Sequence, residues 1–361
     1  MIRWLPSAFI FTLGVHASAI SGQTDTADVC GLIVSQDWFE DGWSCSTEGR
    51  GLAVSAPHES LILAQALDQA VLNFERFFGP TSAKVAVIGT PSLSEAVRAS
   101  MRDEGYLLLP WINQSAKQDL LRRSIERQVM EQTQSLAEPQ RQALLAKALS
   151  KIDDDARSSS TPPSDIELGT LAHEAGHILF ADSYDDGEAP ADGERRYGSS
   201  SPDWLDELAA VLNENGSLTS SRYDVARERL RAGDRPTAFS LREYLTMEHP
   251  SLRAAQLLRE RRNASGDSVA IALSGEEAKR FLEESGGDPV QFYVQSRLFA
   301  DFMFEKTENP RIFVEIAETL GAGQDFETWL AANGSEHGLA EDIDTLGNQF
   351  SDWVTEEFKT P

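Results

Sequence analysis

The sequence predicts an α+β protein, in which a small N-terminal mixed sheet with helices precedes a mostly helical C-terminal half. Two observations support this. Short apolar segments alternate with amphipathic ones between residues 51 and 112, as strands alternate with helices. Beyond residue 112, apolar residues recur mainly at helical spacing, and Gly- and Pro-rich breaks separate the segments.

The N-terminal half contains three predicted strands, at residues 51–55, 84–89 and 106–112. Predicted helices at residues 60–78 and 92–103 connect them. Pro110 favours an edge position for the last strand, because proline cannot donate a hydrogen bond to a neighbouring strand. A plain buried strand is the alternative.

The first residues resemble a targeting signal. Arg3 precedes a mostly apolar run, and Ala17-Ser18-Ala19 fits a small-residue cleavage site. We therefore predict a signal peptide at residues 1–22 and an exported protein, periplasmic or secreted. The run is short and interrupted, so we expect no stable membrane span after cleavage.

The chain has two cysteines, Cys30 and Cys45, in the predicted irregular segment 23–50. An isolated pair in an exported protein predicts one disulfide, with two free thiols as the alternative. The charge is strongly acidic, since 58 Asp and Glu against 32 Lys and Arg give a net charge of −26. This charge argues against nucleic acid or an anionic membrane surface as a partner.

Residues 173–177 read H-E-x-x-H, with His173, Glu174 and His177 in that order. Residues four apart lie on one face of a helix, so both imidazoles can reach one metal ion. Glu174 would then contact a metal-bound water, which is the arrangement of zinc hydrolases. The alternative is a structural helix that happens to carry two histidines.

A catalytic zinc with three protein ligands needs one more donor. Glu207 is the best candidate, because it stands among apolar residues where an unpaired carboxylate would be costly. An ordinary solvated helix position is the alternative. Glu214 lies seven residues further on the same predicted face, where it either supports the metal site or, as we expect, is solvated.

These two segments resemble the gluzincin peptidases, the group of thermolysin and the zinc aminopeptidases. The resemblance is carried by His173-Glu174-x-x-His177 followed by Trp204-Leu205-Asp206-Glu207-x-x-Ala210. The usual third-ligand segment of the group reads W-L-N-E-G-x-A. Here Asp206 replaces the Asn, Leu208 replaces the Gly, and an acidic insertion at residues 182–202 lengthens the gap between the segments.

The resemblance implies one Zn²⁺ per chain, bound by His173, His177 and Glu207, with Glu174 as the general base. It places the zinc-binding helix at a cleft between residues 51–182, an α/β subdomain, and residues 183–361, a mostly helical subdomain. Tyr293-Val294-Gln295-Ser296 matches a Y-x-x-G/S helix start whose Tyr points at the zinc. The alternative for Tyr293 is an aromatic core position. Tyr223, Tyr244 and His249 are substitutes for its catalytic role.

The expected function is an exported zinc-dependent peptidase that acts on a peptide or protein substrate. The G-x-M-E-N segment, with which zinc aminopeptidases hold a free amine, is missing from residues 80–172. This favours an endopeptidase. A non-catalytic gluzincin-fold protein that holds a partner segment in the cleft is the alternative. The sequence does not indicate the oligomeric state.

Overall fold

The structure is a computed structural model. It describes residues 26–89, 94–111, 122–123, 125–127, 129–133, 136–156, 162–185, 199–235, 237–254, 256–257, 280–281, 284 and 286–359. The predicted signal peptide at residues 1–22 and most of the acidic insertion lie outside the described residues.

Four strands form one mixed sheet in the order β1-β2-β3-β4. They are β1 (Ser44–Glu48), β2 (Gly51–Ser55), β3 (Lys84–Ile88) and β4 (Tyr106–Pro110). The first two strands form an antiparallel hairpin, while β2, β3 and β4 run parallel. Among the described strands β4 pairs only with β3, so it lies at an edge, as Pro110 predicts.

Helices account for most of the remaining described chain. Three of them belong to the sheet region, namely α1 (Thr26–Val34), α2 (Ser60–Phe78) and α3 (Glu95–Asp103). Those that follow are α4 (Glu138–Ala156), α5 (Asp165–Tyr184), α6 (Asp203–Asn213), α7 (Gly216–Arg231), α8 (Leu241–Thr246), α9 (Pro289–Thr307), α10 (Ile312–Gly321), α11 (Phe326–Asn333) and α12 (Ile343–Lys359). The predicted α+β class is confirmed.

The prediction of an irregular segment at residues 23–50 is wrong, because this segment contains α1 and β1. The helix buries Val29 and Ile33 in the same apolar cluster as Leu52 and Val54 of the sheet. All five residues of β1 pair with β2. Tertiary packing therefore orders a segment that has little periodicity of its own. The predicted disulfide between Cys30 and Cys45 is confirmed and joins α1 to β1.

The two faces of the sheet belong to different apolar clusters. In β2 and β3, Leu52, Val54, Ala86 and Ile88 pack in the smaller cluster with α1 and α3. Their neighbours Ala53, Val85 and Val87 belong to the main core, which continues through α2, α5, α6 and α9 as far as α12. Because side chains alternate between the faces of a strand, burial on both faces explains why β2 and β3 read as continuous apolar runs.

Helix α5 lies at the centre of this arrangement. It packs against α2 on one side and α6 on another, and it also contacts the edge strand β4. None of the helices in the described ranges has the length and apolar composition that a membrane crossing requires. The predicted subdomain boundary between residues 182 and 183 stays a prediction.

Candidate metal centre

Helix α5 begins at a capping box that fixes its first turn. The Ser164 hydroxyl accepts from the Glu167 backbone N–H, and the Glu167 side chain accepts from the Ser164 N–H. Such reciprocal bonds satisfy two amides that a helix start leaves without partners. The helix then carries His173 and His177 through its centre, where both are buried.

Helix α6 brings the third candidate ligand to the same place. Pro202 precedes its first residue, and every residue from Asp203 to Asn213 is buried, so the helix has no solvated face. Glu207 is fully buried in its middle. The axes of α5 and α6 approach closely at Gly176, where an added Cβ would lie 2.7 Å from the Cα of Ala210.

The candidate ligand atoms converge between the two helices. The Nε2 of His173 lies 3.2 Å from Oε1 of Glu207, and the Nε2 of His177 lies 3.7 Å from Oε2. One ligand atom from each residue falls within 4.8 Å of the others. Across the described ranges, this is the one group of His, Cys, Asp or Glu side chains that meets such a criterion.

The surroundings of Glu207 fit a metal ion. Within the described part of the chain, neither of its carboxylate oxygens makes a well-formed hydrogen bond, although both are buried. Burial of a carboxylate is costly, and a bound cation would offset that cost in addition to the imidazoles around it. Two imidazoles and one carboxylate are also a known ligand set of zinc. His173, His177 and Glu207 can therefore hold a metal ion.

Each histidine is oriented by a carboxylate at its other ring nitrogen. The Nδ1 of His173 lies 3.0 Å from Oε1 of Glu214, and the Nδ1 of His177 lies 2.9 Å from Oδ2 of Asp206. An ionised carboxylate only accepts hydrogen bonds, so each Nδ1 carries a proton. Both Nε2 atoms therefore face the centre, as in metal sites whose histidines have a supporting carboxylate.

The expectation that Glu214 is solvated is wrong. Glu214 directly follows α6 and is buried, and it joins His173 to Arg222 of α7. Two guanidinium nitrogens of Arg222 bind the Glu214 carboxylate, the closer one at 2.7 Å. The heptad spacing from Glu207 indicates a shared helix face, but it does not indicate that this face is covered.

The pKa values show how strongly the buried charges interact. Burial alone would lower the pKa of His177, but the negative charges of Asp206, Glu207 and Glu174 outweigh it and raise the pKa to about 9. Burial alone would raise the pKa of Glu207, but the three nearby imidazoles lower it to about 2. A metal ion that binds here must therefore displace a proton from His177.

Glu174 and Tyr293 both lie close to the centre. Glu174 is exposed, and its charge raises the pKa of both His177 and Tyr293. The Tyr293 ring lies 5.6 Å from the His173 ring, with the Arg222 guanidinium 4.9 Å from its centroid. Burial and the charge of Glu207 raise the pKa of Tyr293 to about 12, so its hydroxyl stays protonated at neutral pH.

Tyr223 and Tyr244, the two other tyrosines considered for the catalytic role of Tyr293, form hydrogen bonds away from the candidate ligands. The Tyr223 hydroxyl donates to Asp301, and the buried Tyr244 hydroxyl donates to Ser296 at 2.8 Å, with the Trp204 carbonyl a second contact at 3.3 Å. His249, the third substitute, does reach the centre, with its Nε2 3.4 Å from Oε2 of Glu207. Local spacing contains no signal for this contact, because the two residues come from separate segments of the chain.

No protein-family model matches this chain, and neither does any curated protein or solved structure with which it was compared. The chemistry of the centre is therefore inferred from its own residues.

Proposed function

We propose that this chain is an exported zinc-dependent peptidase. One observation carries the proposal: a buried pair of histidines and a buried glutamate converge beside an exposed glutamate, Glu174. The disulfide between Cys30 and Cys45 supports export, because such bonds persist mainly in oxidising compartments.

Zinc is the metal that the donors favour. His173, His177 and Glu207 supply two nitrogens and one oxygen, a set found in zinc peptidases that keep a fourth position for water. When bound, zinc would lower the pKa of that water to about 7 and polarise a substrate carbonyl.

Glu174 and Tyr293 would perform the proton transfer and charge stabilisation. The exposed carboxylate of Glu174 accepts a proton from the attacking water and delivers it to the leaving amine. The neutral phenol of Tyr293 donates a hydrogen bond to the oxyanion that develops on the carbonyl oxygen.

The edge strand β4 would hold an extended peptide substrate. The Trp111 N–H donates to the Ile88 carbonyl of β3. Along a strand, the main-chain N–H and C=O groups of successive residues point to opposite sides. Leu108 lies three residues before Trp111, so its main-chain groups point away from β3. An extended peptide can pair with such outward N–H and C=O groups. Because β4 contacts α5, a peptide paired with this edge would lie near the histidine helix.

Replacement of Glu174 by Gln tests the proposal. The change removes the base but keeps the shape, so zinc should stay bound while the turnover rate falls by about 10²–10⁴-fold. Hydrolysis of a pool of internally quenched peptides and the zinc content of the purified protein are the measurements. Asp182→Asn is the control, because Asp182 is exposed on the same helix, and it should leave both values unchanged.

Two outcomes would contradict the proposal in different ways. A Glu174→Gln variant as active as the wild type would exclude Glu174 as the base. A zinc-loaded wild type that cleaves no peptide in the pool would favour the non-catalytic binding function. Comparison of N-acetylated with free-amine peptides then tests the endopeptidase assignment, which strict dependence on a free amine would refute.

A further inference from the structure

A third imidazole faces Glu207 besides those of the two candidate ligands. His249 is fully buried, and its Nε2 lies 3.4 Å from Oε2 of Glu207. This distance is longer than an ideal hydrogen bond, and the contact does not have well-formed hydrogen-bond geometry. The His249 nitrogen is not part of the group of ligand atoms that lie within 4.8 Å of one another. His249 is therefore directed at the glutamate rather than at the point where the ligand atoms meet.

The backbone fixes the tautomer of His249. The Ser251 N–H donates to Nδ1 of His249 at 3.1 Å, so Nδ1 is an acceptor and carries no proton. In a neutral imidazole the proton is then on Nε2, the nitrogen that faces Glu207. This is the reverse of His173 and His177, whose Nδ1 atoms face carboxylates. A protonated Nε2 can donate to a carboxylate but cannot ligate a metal.

The ring of His249 is held in place on several sides. Its own backbone N–H donates to Oδ2 of Asp203 at 2.7 Å, which ties it to the first turn of α6. The ring stacks on Tyr293 with centroids 5.5 Å apart and meets the edge of Phe292 at 4.8 Å. A buried ring with this many contacts has little freedom to rotate towards another partner.

We propose that His249 is a positioning residue that holds the Glu207 carboxylate in its ligand orientation. It acts by donating from Nε2 to Oε2, which leaves Oε1, 3.2 Å from Nε2 of His173, for the metal. The inference rests on the proposed metal site. In this role His249 is not a fourth ligand, which would close the open position of the site, and it does not contact substrate.

Metal affinity measures the effect directly. Removal of a residue that orients a metal ligand typically weakens metal binding by about 10–100-fold. His249→Phe keeps a flat ring against Tyr293 and Phe292 but loses the donor, so we expect a zinc dissociation constant raised within that range. His249→Gln places an amide N–H near the position of Nε2 and should recover most of the affinity. Competition with a chromophoric chelator gives the values.

The same substitution at another histidine is the matched control. His337 contacts Glu315 and stacks on Trp329, neither of which is a candidate ligand, so His337→Phe should leave the dissociation constant within about twofold of wild type. A His249→Phe variant that also stays within twofold would overturn the positioning role while the wild type still binds zinc. A wild type that binds no zinc would instead overturn the proposed function and the positioning role together.

A spectroscopic test on the unaltered protein does not depend on the folding of any variant. With ¹⁵N-labelled histidine, we expect the Nε2–H tautomer of His249 both before and after zinc is added. The ¹⁵N signals of Nε2 in His173 and His177 should shift, when zinc is added, to the values of a metal-bound nitrogen. A metal-bound Nε2 on His249 would show that it is a fourth ligand and would overturn the inference.

Discussion

Each candidate ligand histidine has a carboxylate of its own, and the two carboxylates differ in their surroundings. The charge of Glu214 is shared with Arg222, which binds it through two nitrogens. Asp206 lies fully buried against His177, and burial raises its pKa. Its charge acts mainly on His177, which explains the raised pKa of that imidazole. Asp206 therefore adds a negative charge directly behind a candidate ligand.

Tyr293→Phe should lower kcat by about 10²–10³-fold and change KM little, because an oxyanion donor acts mainly in the transition state. The ring contacts with His173 and His249 are kept, so folding and zinc binding should survive. Steady-state peptide hydrolysis separates kcat from KM.

Tyr223→Phe is the control for this prediction. It removes a hydroxyl that donates to Asp301, so kcat should change much less than in Tyr293→Phe. A Tyr293→Phe enzyme within about twofold of wild type would show that Tyr293 is only a packing residue, given the size of the expected loss.

At the scale of helices, the geometry of the centre depends on how closely α5 and α6 approach. At Gly176 an added Cβ would lie 2.7 Å from Cα of Ala210 and 2.9 Å from Nδ2 of Asn213. The nearer neighbour is backbone, so it cannot move aside as a flexible side chain does. Because Gly176 directly precedes His177 and Ala210 follows Glu207 by three residues, a shift here alters the distance between ligands.

Gly176→Ala should therefore weaken zinc binding and lower stability by about 1–3 kcal/mol, the usual cost of overpacking a core. The better helix propensity of Ala offsets roughly 1 kcal/mol of this. Urea unfolding and chelator competition measure the two effects. Gly31→Ala is the control, because Gly31 lies in helix α1 with open space around it, and Ala there should be neutral or stabilising. An unchanged zinc affinity in Gly176→Ala would contradict the expected role of the close approach.

The sequence predicts those parts of the centre that local geometry determines. Four-residue spacing on one helix places His173 beside His177 wherever the helix packs. Glu214 and His249 meet the centre through contacts across 41 and 42 residues respectively, and no local period encodes such contacts. The sequence fails to predict α1 and β1 for the same reason, because these elements form through pairing and packing with β2. The strands β2 and β3 are predictable because burial on both faces makes them continuously apolar.

At the scale of the whole molecule, the centre connects segments that are far apart in the chain. α5 supplies the histidines, α6 supplies Glu207, and the segment after α8 supplies His249, while α9 brings Tyr293. The main core also passes through α5, α6 and α9. A metal ion bound here would therefore compensate a buried carboxylate at a place where much of the tertiary structure meets.

Removal of the proposed zinc should for this reason lower the unfolding temperature. A ligand that binds only the folded state stabilises it by about 4 kcal/mol when its free concentration is 1,000 times the dissociation constant. Thermal unfolding should thus occur several degrees lower after dialysis against a chelator and recover when zinc is added. The double variant His173→Ala/His177→Ala is the control, because its unfolding temperature should respond to neither treatment. A wild type whose zinc content falls on chelation, but whose unfolding temperature does not change, would show that the metal contributes nothing to holding α5 and α6 together.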